Sequence, residues 1–487
     1  MTVGRDTGFN LVAALVPALL TLVVTPFYLH VIGPERFGIL AICWTIIGAF
    51  TFASLGMGPA LSYRLALMDA DSPAARSRHV WVALLIGLSA SLLGALLALA
   101  TAHVYFRHFG LLSSGMEGEM WKAMPFLAIL LPLSTVSGIL NGALQGRRRF
   151  GALSALGALN ALVSATAPLV TALLVDVELP TLVCAMVWAN ALALLLQITV
   201  CARIVPLRFP SRFGSEDVKG LLGYGAWMSA TALVAPILLL ADRFVVGSIG
   251  GPTAVAVYVL AFYVLQGMLL VPASLTSAML PRLASLTREE DVHKLQSSWL
   301  TWLNGILTPL VIVAIAFSAP FFRLWVGLTL GSAASPVAVI LLVGCWVHGI
   351  GHIPSAVLVG RGRPDLLTKL LLVYLLPYLV LLYFATAWYG VVGAAAAWTV
   401  RAAFDPVLFV YTHPRVAELR TVAASAGLVL CAMATALALI WTSISYWGLM
   451  SLILAAACLQ NRSVLISSST ELSAGVRAVF WPVRRIS

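Results

Sequence analysis

The chain has 487 residues, of which 61% are hydrophobic and only 10% charged, and its mean hydropathy is +1.01. Soluble domains carry about 25% charged residues, so an ordinary cytosolic enzyme, a disordered chain and a nucleic-acid-binding protein are excluded. A formal charge of +11 then points to a basic face on an anionic membrane surface. The six cysteines lie in or beside apolar runs without CxxC spacing, which predicts buried thiols, no disulfides and no metal site.

A helix needs about 20 apolar residues to cross the hydrocarbon core of a bilayer. In chain order, runs of that kind fall near 9–31, 38–58, 80–104, 123–145, 150–175, 179–202, 221–249, 253–278, 299–322, 337–358, 366–388, 390–411, 421–441 and 446–460. They predict an all-α polytopic membrane protein of about fourteen transmembrane helices, the last of them short. The first run is too long for a signal-peptide core and lacks a small-residue cleavage site, so it is read as the first span. Strands of a β-barrel would alternate in polarity, and these runs do not.

Lys and Arg set the orientation. With the N-terminus inside, only Arg36, Arg107, Lys122 and Arg323 fall outside, Arg243 and Arg401 fall within helices, and the other 23 of the 29 face the cytoplasm. Both termini are therefore expected on the cytoplasmic side. The basic, aromatic stretch from Val476 to Arg485 reads as an interfacial segment on the inner leaflet. The connections are short and leave no room for a soluble catalytic domain.

Several short patterns recur in order. Gly33-Pro34 returns as Gly251-Pro252, and Arg64-Leu65-Ala66 as Arg282-Leu283-Ala284, both 218 residues on. Gly146-Arg147-Arg148-Arg149 then resembles Gly360-Arg361-Gly362-Arg363, and Cys184–Trp188 resembles Ala394–Trp398. This collinear order predicts two parallel-repeat six-helix bundles. The expected division is 1–205, a cytoplasmic linker at 206–220, 221–411, and 412–487 carrying two additional helices and a basic tail. Two such lobes can rock about a central cavity, which favours a transporter over a channel or enzyme.

Polar groups at membrane depth are the candidate sites, because a charge at a helix centre costs about 2.5–3.5 kcal/mol. Asp242-Arg243 lies in the seventh run; adjacent residues point about 100° apart, so the two are not read as simply neutralising each other. In one reading Arg243 meets an anionic substrate and Asp242 a coupling ion. In the other they form a structural pair with neighbouring helices. Arg64 and Arg282 are expected at the inner mouth, where two guanidiniums can grip a diphosphate; the competing reading is topological bias alone. The clusters Arg147–Arg149 and Arg361/Arg363 read as topology determinants and lipid contacts.

Arg401 and Asp405, four apart, share a helix face and are read as pairing. Arg401 is also a substrate-binding candidate and Asp405 a coupling-ion candidate. His348 and His352 are likewise four apart, but HxxxH without a further ligand is weak for metal; they read as structural histidines, with a polar cavity wall or proton site as the alternative. Asp69-Ala70-Asp71 matches a bare DxD with no domain around it. No phosphate-binding loop for ATP is found, and no cofactor is expected.

The stretches Phe9-Asn10, Val31-Ile32-Gly33-Pro34-Glu35-Arg36-Phe37-Gly38, Leu55-Gly56-Met57-Gly58-Pro59-Ala60, Asp242–Gly247, Tyr258, Pro281-Arg282-Leu283 and Gly360–Pro364 resemble the polysaccharide-transporter (Wzx-type) flippases. That family belongs to the superfamily that also holds the multidrug and toxin extrusion (MATE) exporters. The resemblance covers about 5–411. It implies a V-shaped, two-bundle flippase moving polyprenyl-diphosphate-linked glycans, with a cavity whose cationic character rests here on Arg64, Arg282, Arg243 and Arg401. The partners it implies are the lipid-linked glycan, membrane lipids and a glycan polymerase, with no nucleic acid. A cation-coupled drug exporter is the alternative, and a membrane glycan polymerase or glycosyltransferase a more distant one.

Overall fold

A straight α-helix rises about 1.5 Å per residue, which sets a test for every helix in a bilayer. The computed structural model describes residues 3–50, 54–68, 73–147, 149–205, 215–286, 288–412, 416–439 and 442–462, and every regular element among them is helical. Helix α1, Val3–Ala49, has 47 residues and would measure about 70 Å if straight, more than twice the hydrocarbon thickness. It is bent at Gly33, whose φ of 79° and ψ of 166° leave the helical region. Only glycine takes up such a conformation without strain.

The chain continues through α2 (Met57–Leu67), α3 (Pro73–His108), α4 (Ser114–Gly146), α5 (Phe150–Leu174) and α6 (Leu179–Ile204). Helix α7, Ser215–Ser285, is bent at Gly251 (φ 73°). Then follow α8 (Glu289–Val326), α9 (Leu328–Gly360) and α10 (Pro364–Ala402), the last bent at Gly390 (φ 57°). A 3₁₀ turn at Asp405–Leu408 leads to α11 (Phe409–Thr412), α12 (Val416–Ala438) and α13 (Ile444–Gln460). Among the described residues ten helices are long and apolar enough to cross a membrane, against fourteen runs in the sequence. The difference lies in α1, α7 and α10, which each carry two runs across a bent glycine, and in α13, which has only 17 residues.

The second run also ends differently from its hydropathy. Helix α1 stops at Ala49, and Leu55 (φ 51°) and Gly56 (φ 59°) are both left-handed before α2 begins. Pro59 sits in the first turn of α2, where its missing N–H has no helical partner to lose. Of the expected linker at 206–220, residues 206–214 lie outside the described residues, and α7 already runs from Ser215.

The chain forms two compact units, Met1–Ala256 and Val257–Ser487, whose boundary falls inside α7. In the N-terminal unit, Met57, Leu61 and Leu65 of α2 pack with Val80 and Ala83 of α3 and with Ile139, Leu140, Ala143 and Leu144 of α4. Small residues let the backbones approach: a Cβ on Gly142 would lie 2.1 Å from the Gly58 carbonyl oxygen, and one on Gly146 2.7 Å from that of Ser62. Gly138, Gly142 and Gly146 are spaced by four, the stripe that close helix pairs use in lipid. A bidentate Arg36–Glu119 ion pair (2.5 and 3.0 Å) ties α1 to α4, and Glu119 also accepts from the Leu179 N–H that opens α6 (3.0 Å).

In the C-terminal unit α8 and α9 form the centre, and the final helix pair is built into the same core through Val429, Ala432, Tyr446, Met450 and Ala457. A buried polar chain fixes that assembly. The Trp346 indole donates to Thr308 (3.0 Å), Thr308 to Asn304 (3.1 Å), and Asn304 to Ser425 on α12 (2.9 Å). Gln460 at the end of α13 also reaches Ser425 (3.0 Å), and the Tyr446 hydroxyl donates to the Ala316 carbonyl (2.7 Å).

Replacing Gly142 by Leu forces α2 and α4 apart and is expected to cost about 1–3 kcal/mol. Gly118→Leu, at a position where an added Cβ meets no atom within 4 Å, is the control. Thermal unfolding of the purified protein in detergent should show a lower midpoint for Gly142→Leu alone.

Candidate functional site

Arg64 lies in the last turn of α2, where a cation faces the carbonyl end of the helix. It is half-buried and makes no ion pair among the described residues. The helix that carries it begins at the left-handed Leu55–Gly56 break, so its register is set by that break rather than by α1. The Arg282 side chain lies outside the described residues, although its backbone belongs to α7. Asp69–Asp71 and the tail from Val476 to Arg485 also lie outside them.

Asp242 is fully buried and Arg243 is 6% exposed. The Arg243 guanidinium folds back onto Asp242 (Nη1–Oδ1 3.3 Å), and the same oxygen accepts the Arg243 backbone N–H at 2.8 Å. The two side chains therefore touch, as one of the two sequence readings has them within a structural pair. The 100° between Cβ directions is closed by the length of the arginine side chain. The next residue, Phe244, anchors the segment: its carbonyl accepts from the Tyr105 hydroxyl of α3 (3.1 Å), and the two rings meet edge-on at 5.4 Å.

Arg401 and Asp405, by contrast, do not pair. The expectation assumed one continuous α-helix, but α10 ends at Ala402 and a 3₁₀ turn begins at Asp405, so the i,i+4 geometry is lost. Asp405 instead meets His348 of α9 (Oδ2–Nδ1 2.5 Å) and accepts from the Tyr374 hydroxyl (3.3 Å). Arg401 is 4% exposed; its Nη1 reaches Tyr374 at 3.5 Å, and its guanidinium stacks 5.2 Å from the centre of the Trp398 ring. His348 thus belongs to an ionisable cluster rather than to the structural histidines. Sequence spacing gave no sign of this, because His348 and Asp405, 57 positions apart, are brought together only by folding.

The same unit holds a cleft of about 500 Å³ lined by residues including Glu289, His293, Gln296, Arg361, Arg363 and Thr412. Gln296 donates to Thr412 at 3.0 Å, and Arg361 grips the Glu289 carboxylate through both terminal nitrogens. Arg361 is thereby engaged within the protein, in addition to its place in the basic clusters.

Comparison with known proteins follows the same lines. The profile of a family described as polysaccharide biosynthesis protein matches residues 3–287. A putative O-antigen transporter of Shigella flexneri is 23% identical over 416 residues, which span 85% of this chain and 98% of that protein. Among solved structures, the lipid II flippase MurJ in an inward closed conformation is similar with a TM-score of 0.72 and 13% identity, over 95% of this chain and 99% of that one. An inward-facing MATE-family multidrug resistance transporter of the MOP superfamily is similar with a TM-score of 0.68 and 16% identity, over 85% and 98%. These likenesses establish the fold.

Removing Asp242 takes a carboxylate away from the buried Arg243 guanidinium. Asp242→Ala is expected to cost about 3–5 kcal/mol, while Asp242→Ala/Arg243→Met together cost much less. Thermal unfolding of the three proteins in detergent checks it; a double variant no more stable than Asp242→Ala would refute it.

Proposed function

We propose, for a chain that belongs to the polysaccharide biosynthesis protein family and is a multi-pass membrane transporter rather than an enzyme, that it flips a polyprenyl-diphosphate-linked oligosaccharide from the cytoplasmic to the outer leaflet. Family membership is the observation that carries this reading. The chemistry it must perform is the passage of a charged, sugar-bearing head through a layer that repels it, while the prenyl tail stays in lipid. That needs a polar passage exposed to one side at a time, which two rocking helical lobes provide.

The lobes are read as a duplication, 1–205 and 221–411, with fourteen crossings in all and both termini in the cytoplasm of a bacterial inner membrane. Backbone detail supports the duplication. Gly33 and Gly251 share a positive φ and an extended ψ, and each precedes a proline. Arg147 and Arg361 cap α4 and α9 with nearly the same dihedrals, φ −92° and ψ 10° against φ −91° and ψ 9°.

The diphosphate is taken first by Arg64 and Arg282, whose planar guanidiniums match its oxygens two at a time. Arg64, half-buried and in no ion pair among the described residues, is available to do so. Arg243 and Arg401 are sealed in this conformation, so any contact they make with substrate belongs to another state of the cycle. Asp242 and Asp405 are the corresponding coupling-ion candidates. Membrane lipids and a glycan polymerase are the partners such a flippase would meet. The MATE-like fold favours one second reading, a cation-coupled drug exporter, which would confer drug resistance without a glycan defect.

Reconstitution in vesicles with a fluorescent polyprenyl-diphosphate-linked sugar tests the proposal. The unaltered protein should equilibrate the label between leaflets. Arg64→Ala/Arg282→Ala should slow it about tenfold or more, a rise of about 1.4 kcal/mol in the barrier. Arg64→Lys/Arg282→Lys should stay slow, because lysine cannot offer the bidentate fork. Undiminished flipping by the alanine variant would remove both arginines from the mechanism.

A further inference from the structure

Six polar or aromatic side chains meet inside the C-terminal unit where the helical chain is interrupted: His348 and His352 of α9, Tyr374, Trp398 and Arg401 of α10, and Asp405 of the 3₁₀ turn. Irregular backbone at membrane depth persists only where protein or a water-lined cavity supplies partners. Ionisable groups there mark function more often than packing.

The geometry around Asp405 is specific. One carboxylate oxygen meets His348 Nδ1 at 2.5 Å and the other accepts from the Tyr374 hydroxyl at 3.3 Å. A carboxylate only accepts, so Nδ1 carries its hydrogen and Nε2 is left as the basic nitrogen of the ring. The spacing is enforced from behind: a Cβ on Gly351 would lie 2.6 Å from Asp405 Cβ. Arg401 supplies a fixed positive charge between the Trp398 and Tyr374 rings, 5.2 and 6.0 Å from their centres. Among the described residues its Nε and Nη2 have no hydrogen-bond partner, and Asp405 is the carboxylate in the cluster that balances it. With His348 neutral, Arg401 and Asp405 cancel.

Access separates the ligands this cluster could take. The His348 side chain is 23% exposed and that of Asp405 10%, whereas the free donors of Arg401 are sealed. A species as small as a proton can reach the imidazole, while a phosphate or other anion cannot reach the guanidinium. We propose that His348 Nε2, oriented by Asp405, is a proton-binding site of the C-terminal unit. The proton comes from water and adds to the Nε2 lone pair, turning a balanced cluster into one of net charge +1.

The groups around the imidazole are few. His352, with its ring centre 4.9 Å away, lies on the same helix; Tyr374 and Arg401 come from α10, and Asp405 from the turn. Helix α8, packed against α9, contributes the uncharged Thr308 and Asn304 through Trp346, and its own charged residues, Glu289, Glu290, Asp291, His293, Lys294 and Arg323, sit at its two ends. Helix α12 brings Ser425 to the same chain. Any rearrangement that changes the exposure of His348 is then linked to pH, because each arrangement binds the proton with its own affinity. This inference concerns the cluster itself and holds whatever the transporter carries.

The test uses the full chain in detergent, titrated from about pH 5 to 8, where an imidazole changes charge. Two signals are followed: the resonances of the eight histidines and tryptophan fluorescence, since the His348 ring lies 6.0 Å from that of Trp398 and an imidazolium quenches a nearby indole. Fluorescence should fall on acidification, and this change should be absent from both His348→Gln and Trp398→Phe and present in His352→Gln. Asp405→Asn, which keeps an acceptor but removes the charge, should move the midpoint. If His348→Gln fails to fold, the histidine spectra of the unaltered chain and the Asp405→Asn midpoint decide. A transition that survives His348→Gln, a midpoint unmoved by Asp405→Asn, or the same response to sodium at fixed pH would overturn the proposal.

Discussion

Inside a bilayer no water is on hand to satisfy a backbone N–H or C=O, and each one left open costs several kcal/mol. That constraint dictates the all-helical chain, and it also gives meaning to the few places where the helix stops. Two such places stand out. Before α2, Leu55 and Gly56 are both left-handed; after α10, the chain passes through Ala403 and Phe404 into a 3₁₀ turn. Arg64 follows the first break, and Arg401 and Asp405 flank the second. Where the fold gives up regular hydrogen bonding, it also carries charge.

Packing in lipid obeys different economics from packing in water, because the surroundings are as apolar as the side chains. Close approach of backbones and buried polar links then decide which helices associate. The N-terminal unit relies on the first, with Gly142 and Gly146 laid against Gly58 and Ser62. It adds the Ser137–Gln197–Asn141 network, in which Gln197 accepts from the Ser137 hydroxyl and donates to Asn141, both at 2.8 Å. The C-terminal unit relies more on the second, through the chain from Trp346 to Ser425 and Gln460. The final helix pair is thereby part of that unit's core, not an appendage to it.

Much of this was legible in the sequence, and the exceptions have physical causes. Apolar runs located the helices because a span needs about 20 residues whatever its neighbours. Gly33-Pro34 and Gly251-Pro252 stood out as punctuation, and both glycines are where their helices bend. Hydropathy could not tell two helices from one bent helix, since it is blind to φ. It could not see that α10 ends at Ala402, so the pairing of Arg401 with Asp405 rested on a helix that is not there. Nor could it bring His348 to Asp405, a contact made only by folding. At Asp242–Arg243 direction was weighed and side-chain reach was not, so the contact between the two was not foreseen.

The bends at Gly33, Gly251 and Gly390 carry a mechanical implication. A chain that changes course at one residue has no slack there, so the two limbs on either side are tethered and a displacement of one is passed to the other. An inserted residue at any of these three corners would add the very looseness that the architecture leaves out.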